Sequence, residues 1–83
     1  MSTRLHIGNI PTATTRSDLE AMFRQFGPVN SVGISKDRFT GINNGSGFVE
    51  MCNDIDAQNA ISRLNFTQYG GRTISVSRSR ATT

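Results

Sequence analysis

The stretch NNGSGFVEM, Asn43 to Met51, ends in an alternation that sends Val49 and Met51 to one face of a strand and Phe48 and Glu50 to the other. An aromatic ring thus shares the polar face with a carboxylate, where it offers a flat surface to a ligand. Just before it stand Gly45 and Gly47, which bring no side chain to pack. Glycines inside a strand mark a bend or a place where a ligand or another backbone comes close. The segment RLHIGNI, Arg4 to Ile10, alternates in the same way, with Leu5 and Ile7 on one face and His6 and Gly8 on the other. The chemistry on offer is noncovalent. An acid–base site needs clustered ionisable groups that this chain does not show. A lone Cys52 with His6 as the single histidine supplies neither an intrachain disulfide nor a metal-ligand cluster. No cofactor, metal or catalytic activity is therefore expected, and Cys52 reads as a small residue at a strand end.

Charge points the same way. Eighty-three residues carry nine basic and six acidic side chains, for a net charge of +3. Sorted by element, the segment with Arg16, Asp18, Glu20 and Arg24 is neutral, and the one with Asp54, Asp56 and Arg63 is negative. The surplus falls on Arg4, Lys36, Arg38, Arg72, Arg78 and Arg80, against Asp37 and Glu50. A cation excess confined to strands, loops and tail is the footprint of a surface that meets a polyanion.

The elements that must position these residues are legible from periodicity. Pro11 closes the first strand. Thr15 and Asp18 have the spacing of a capping box, and Leu19, Met22, Phe23 and Phe26 follow on one face of a helix. Gly27 and Pro28 stop it. Val32 and Ile34 mark a second strand over 29–36, a polar connection spans 37–45, and the third strand runs over 46–52. Asn53 and Asp56 repeat the cap spacing ahead of Ala57, Ala60, Ile61 and Leu64, a second apolar stripe. Phe66 to Gly71 reads as a loop or short hairpin, 73–77 alternates as a last strand, and residues 79–83 read as a mobile tail. The order is βαββαβ in one domain, with both helices packed on one face of a four-stranded sheet and the other face open. The handedness of the crossovers makes the first and third strands central neighbours, expected as a parallel pair. No apolar run is long enough to span a membrane, and the first residues lack the features of a signal peptide, so an intracellular location is expected.

The chain resembles the RNA recognition motif family over essentially its whole length. The family's hexapeptide, apolar–aromatic–apolar–x–Asn–Leu, is matched by Leu5-His6-Ile7-Gly8-Asn9-Ile10. Its octapeptide, K/R-G-F/Y-G/A-F/Y-V-x-F/Y, is matched by Asn44-Gly45-Ser46-Gly47-Phe48-Val49-Glu50-Met51. The resemblance implies a ferredoxin-like α+β sandwich whose four-stranded sheet is antiparallel, so it and the crossover argument differ over the direction of the central pair. It also implies base stacking at three positions, here His6, Ser46 and Phe48, and a phosphate contact at Asn44. Only Phe48 keeps a full aromatic. An imidazole at His6 can stack, whereas Ser46 cannot, and Asn44 can hydrogen-bond but carries no charge.

Arg4, Lys36, Arg38, Arg72, Arg78 and Arg80 are the expected phosphate contacts, and Gly45 and Gly47 are expected to leave room for a strand of nucleic acid. Phe23 and Phe26 read as core, Phe66 and Tyr69 as loop packing. Phe39 either anchors its loop or reaches over a bound strand. The expected function is non-catalytic binding of single-stranded RNA, or of single-stranded DNA, by a monomer with no small-molecule substrate. The alternative is a protein-interaction module on the same fold, which the loss of stacking residues permits. The Met1 start and the complete set of elements fit a stand-alone protein similar to short single-module RNA-binding proteins of bacteria.

Overall fold

The computed structural model describes residues 2–79. Its elements are β1 (Thr3–Gly8), α1 (Arg16–Arg24), β2 (Val29–Lys36), β3 (Asn43–Met51), α2 (Asp54–Leu64), the two-residue strands β4 (Gln68–Tyr69) and β5 (Arg72–Thr73), and β6 (Ser75–Arg78). Four strands form one sheet in the order β2-β3-β1-β6, and β4 and β5 form a small hairpin of their own. The helices lie on one face. Helix α1 packs over β2 and β3, and α2 packs chiefly over β1 and β6.

The central pair is β1 and β3, as expected, but it is antiparallel. Every other pairing in the sheet is antiparallel too. The crossover argument fails at one step. The strands joined through α1 are β1 and β2, and they are not neighbours, because β3 turns back from β2 and inserts between them. The parallel relation belongs to the strands on either side of β3.

The core is the layer between sheet and helices: Leu5 and Ile7 from β1, Val49 and Met51 from β3, Val76 from β6, Leu19 and Phe23 from α1, and Ala57 and Ala60 from α2, all buried. Alanines on α2 let that helix approach the sheet closely. Phe26, Met22 and Tyr69 pack at its margin. Phe66 does not join it; it is 75% exposed, on a backbone with φ of 64°.

Local signals set the helix starts unequally. At α1 both halves of the capping box form: the Thr15 hydroxyl accepts from the Asp18 amide at 3.2 Å, and the Asp18 carboxylate accepts from the Thr15 amide at 3.0 Å. At α2 the box does not form. The Asn53 side chain makes no bond to the helix backbone and instead donates to the Asp56 carboxylate at 3.1 Å. Asp54 and Asp56 in the first turn complement the helix dipole there.

Strand ends differ from the alternation by a few residues, for identifiable reasons. β3 begins at Asn43 rather than 46 because Asn43 pairs with Lys36 beyond a register shift whose extra residues lie in β3. The last strand starts at Ser75, not 73. Thr73 pairs in the β4–β5 hairpin, and Ile74 exchanges backbone hydrogen bonds with Phe66 and Thr67 instead of joining the sheet.

Candidate nucleic-acid interface

The uncovered face of the sheet is built by the alternate residues that do not enter the core. From β1 come Arg4, His6 and Gly8, from β3 Asn44, Ser46, Phe48 and Glu50, from β2 Ser31 and Gly33, and from β6 Ser75 and Ser77. His6 stands directly opposite Phe48 on the two central strands, with Ser77 on the other side of His6. Two flat side chains therefore lie side by side in the middle of an open, mostly serine and glycine floor. Directly opposed Cβ atoms in a sheet are about 4.5–5.5 Å apart, so the two side chains rise from neighbouring points of the same face.

Phe48 leans across β3 onto β2. A methyl group built on Gly33 would stand 2.2 Å from the Phe48 Cε1, far inside contact distance. Gly33 is what lets the ring settle over the neighbouring strand. Sequence reasoning missed it, because the pairing of residue 33 with residue 48 exists only once the register is known. Above the ring lies the Arg4 guanidinium, 4.2 Å from the ring centroid.

Glu50, next to Phe48 along the face, has both carboxylate oxygens engaged. Ser2 donates to one at 2.8 Å and Ser31 to the other at 3.1 Å. These two hydrogen bonds, first Ser2 and then Ser31, with a further contribution from the Arg4 charge, hold the Glu50 carboxyl below its ordinary range against a smaller opposing effect of desolvation.

The other end of the face is bare. Ser46 lies opposite Gly8, whose far neighbour is Ser75, and the Ser46 hydroxyl donates to the Asn44 side-chain oxygen at 3.2 Å. Beyond it, Asn9 bridges β1 to the hairpin: its amide donates to the Thr73 carbonyl at 2.8 Å, and its oxygen accepts from Arg72 at 3.0 Å. The hexapeptide asparagine thus fixes Arg72 at the end of β1.

The glycines of β3 have a different purpose from the one expected. Gly47 faces the helices, not the open side. A Cβ there would meet the Gly33 carbonyl oxygen at 2.6 Å and the Leu19 Cδ1 at 3.1 Å. Its missing side chain makes room for α1 and the neighbouring strand. Gly45 takes a positive φ of 93°, and its carbonyl accepts from the Ile10 amide. Asn43 holds this corner, donating from one buried amide to the Pro11 and Thr14 carbonyls and accepting from the Gly45 amide at 2.7 Å.

The expected cations divide. Arg4 is at the open face, and Arg72 stands in the β4–β5 hairpin, held by Asn9 at the end of β1. Arg38 is exposed in the β2–β3 connection, where the Asp37 carboxylate accepts from the Phe39 and Thr40 amides, and Phe39 is 90% exposed rather than anchoring the loop. Lys36 pairs with the core-side Asn43 and borders a groove with Ile34 and the 12–17 segment, on the helical side. Arg78 also turns away: it follows Val76 by two residues, opposite Leu5, and binds Asp54 and Gln58 of α2. Its hydrogen bond, followed by that from Thr3, depresses the Asp54 carboxyl. The strand runs one residue beyond the expected 73–77, and Val76 and Arg78 share its core side, so Arg78, expected at a phosphate, meets α2 instead. Arg80 and the rest of the expected tail lie outside the described residues. Among the described residues no cluster of side chains could hold a metal ion, and no helix is long and apolar enough to cross a membrane.

A family model for the RNA recognition motif matches residues 5–75. A Sex-lethal homolog from Chrysomya rufifacies is 40% identical over 78 residues, which is 94% of this chain and 25% of that protein. The chain thus spans about a quarter of the length of that relative. Among solved structures, the crystal structure of RNA-binding protein PG1 superposes with a TM-score of 0.94 at 32% identity, covering 98% of both chains. A Sxl-lethal protein/RNA complex gives a TM-score of 0.91 at 32% identity over 100% of this chain and 50% of the other.

Proposed function

The chain belongs to the RNA recognition motif family, and from that premise we propose that it binds single-stranded RNA on its open sheet face without catalysing a reaction. The observation that carries this reading is the His6–Phe48 pair, two flat side chains facing each other across the central strands of an otherwise small-residue surface. Unstacked bases lie on such rings, and stacking tolerates any base because every base has a π-face. Arg4 over Phe48, Arg38 in the adjoining loop and Arg72 in the β4–β5 hairpin supply phosphate contacts that position the strand. Asn44 and Ser46 add hydrogen-bonding capacity along β3. A PG1 structure described as an RNA-binding protein and a Sxl-lethal complex that contains RNA support the assignment. The protein acts inside the cell as a monomer and uses no small-molecule substrate or cofactor. Single-stranded DNA is a further ligand of the same surface.

Fluorescence anisotropy with short RNA oligonucleotides tests this directly. Loss of one stacking platform is worth about 1–3 kcal/mol per base, so Phe48→Ala is expected to weaken binding from several-fold to about a hundred-fold with the fold intact. Binding should also weaken as salt rises, since phosphate contacts release counterions. Equal affinity of wild type and Phe48→Ala, or salt-independent binding, would overturn the reading in favour of a protein-contacting surface.

A further inference from the structure

We infer that Arg4 makes the Phe48 platform selective for ligands that carry backbone phosphate, by occupying the ring until an anion draws the guanidinium away. The inference deepens the RNA-binding reading and rests on it. Arg4 is not a rim residue: it precedes His6 by two positions on the same face of β1, and its guanidinium covers Phe48 at 4.2 Å from the centroid. From the side of β2 the ring is pressed against Gly33. A base that stacks on Phe48 must therefore take the place that Arg4 holds.

Among the described residues no hydrogen-bonded ion pair retains the guanidinium. Its cross-strand neighbour Glu50 is the obvious counterion, yet that carboxylate is committed to Ser2 and Ser31, and no ion pair to Arg4 forms among the described residues. Arg24 and Arg78, by contrast, are ion-paired, and Arg72 is held by Asn9. Arg4 is thus held by the ring and by the longer-range attraction of the Glu50 carboxylate, and an exposed cation–π contact is worth about two- to five-fold in an equilibrium. An uncharged base or an aromatic peptide has to displace Arg4 and returns nothing for it. An RNA strand supplies a phosphate beside each base, and a guanidinium bonds phosphate in a bidentate fashion. The cost of uncovering the ring falls on uncharged ligands and is refunded to charged ones.

A short uracil oligomer prepared as RNA and as uncharged peptide nucleic acid separates the two cases when titrated by NMR. Arg4→Ala is expected to bind the peptide nucleic acid about two- to five-fold more tightly than wild type and RNA no more tightly. Unchanged or weaker binding of the peptide nucleic acid by Arg4→Ala overturns the inference. The Arg4 side-chain protons give a second readout. In the free wild type the ring current should shift them upfield, and the shift should vanish in Phe48→Ala and on RNA binding. Its persistence in the RNA complex also overturns the inference. The exposed Arg4 side chain makes no core contact, and Arg4→Gln, which keeps the length of the stem, serves should the alanine variant misfold. If Phe48→Ala leaves RNA binding intact, the sheet-face reading fails and this inference with it. If it weakens RNA binding while Arg4→Ala gains nothing on the peptide nucleic acid, the inference fails alone.

Discussion

Ser46 occupies the octapeptide position where a third ring would stack, and its surroundings leave space for one. It faces Gly8 on β1, beyond which stands Ser75, so three adjacent positions carry no ring. Ser46→Phe is therefore expected to tighten RNA binding by about ten-fold, within the range of one added stacking contact, and anisotropy on the same oligonucleotides would reveal an unchanged affinity if the position were unreachable. Alternation placed Phe48 and His6 on one face without any knowledge of partners, and the family resemblance marked the deficit at Ser46. Neither disclosed Gly33 or the covering role of Arg4. Those depend on which residues of β1, β2 and β3 stand side by side, and that register comes from the pairing of strands far apart in the chain.

At the scale of elements, the two glycines of β3 illustrate how a strand's two faces impose separate demands. Gly47 lies on the core side, where Leu19 of α1 and the Gly33 carbonyl fill the space a side chain would need. Gly47→Ala is expected to destabilise the domain by about 1–3 kcal/mol, the usual cost of overpacking, visible as a lowered urea midpoint. An unchanged midpoint would show that α1 can shift freely. Helix α1 was readable in detail because its cap, stripe and stop are local: the Thr15–Asp18 box forms as spaced. The same spacing at Asn53 and Asp56 misled, because the Asn53 side chain found the Asp56 carboxylate instead of the helix backbone. The direction that Arg78 takes was hidden for a related reason. Its face follows from Val76, and its partners Asp54 and Gln58 lie on a helix that local pattern cannot bring near it.

Over the whole molecule, charge is divided between the two layers. The open face carries Arg4 and the β2–β3 loop carries Arg38, whereas α2 begins with two aspartates and holds Arg78 against one of them. Two carboxyls titrate below their ordinary range: Glu50, chiefly through the Ser2 hydrogen bond, and Asp54, chiefly through that from Arg78. A carboxyl depressed in the folded state contributes stability above its unfolded pKa and loses it as pH falls through the folded value. Stability is therefore expected to decline below about pH 4. Arg78→Ala should lessen that decline by returning Asp54 towards its unfolded behaviour. Urea midpoints measured between neutral and acid pH check this, and an acid limb unaffected by the substitution would remove Asp54 from the account.

The amino-acid sequence by itself determined the element order, the two-layer architecture, the identity of nearly every core residue and the presence of an aromatic on an open face. All of these follow from periodicities of two and 3.6 residues and from caps and stops a few positions apart. Tertiary structure alone decided the clearance at Gly33, the Arg4 cover on Phe48 and the turning of Lys36 and Arg78 towards the helical side. Each of these is a relation between residues distant in the chain, and such relations are set by strand register and by helix docking, which no local pattern encodes.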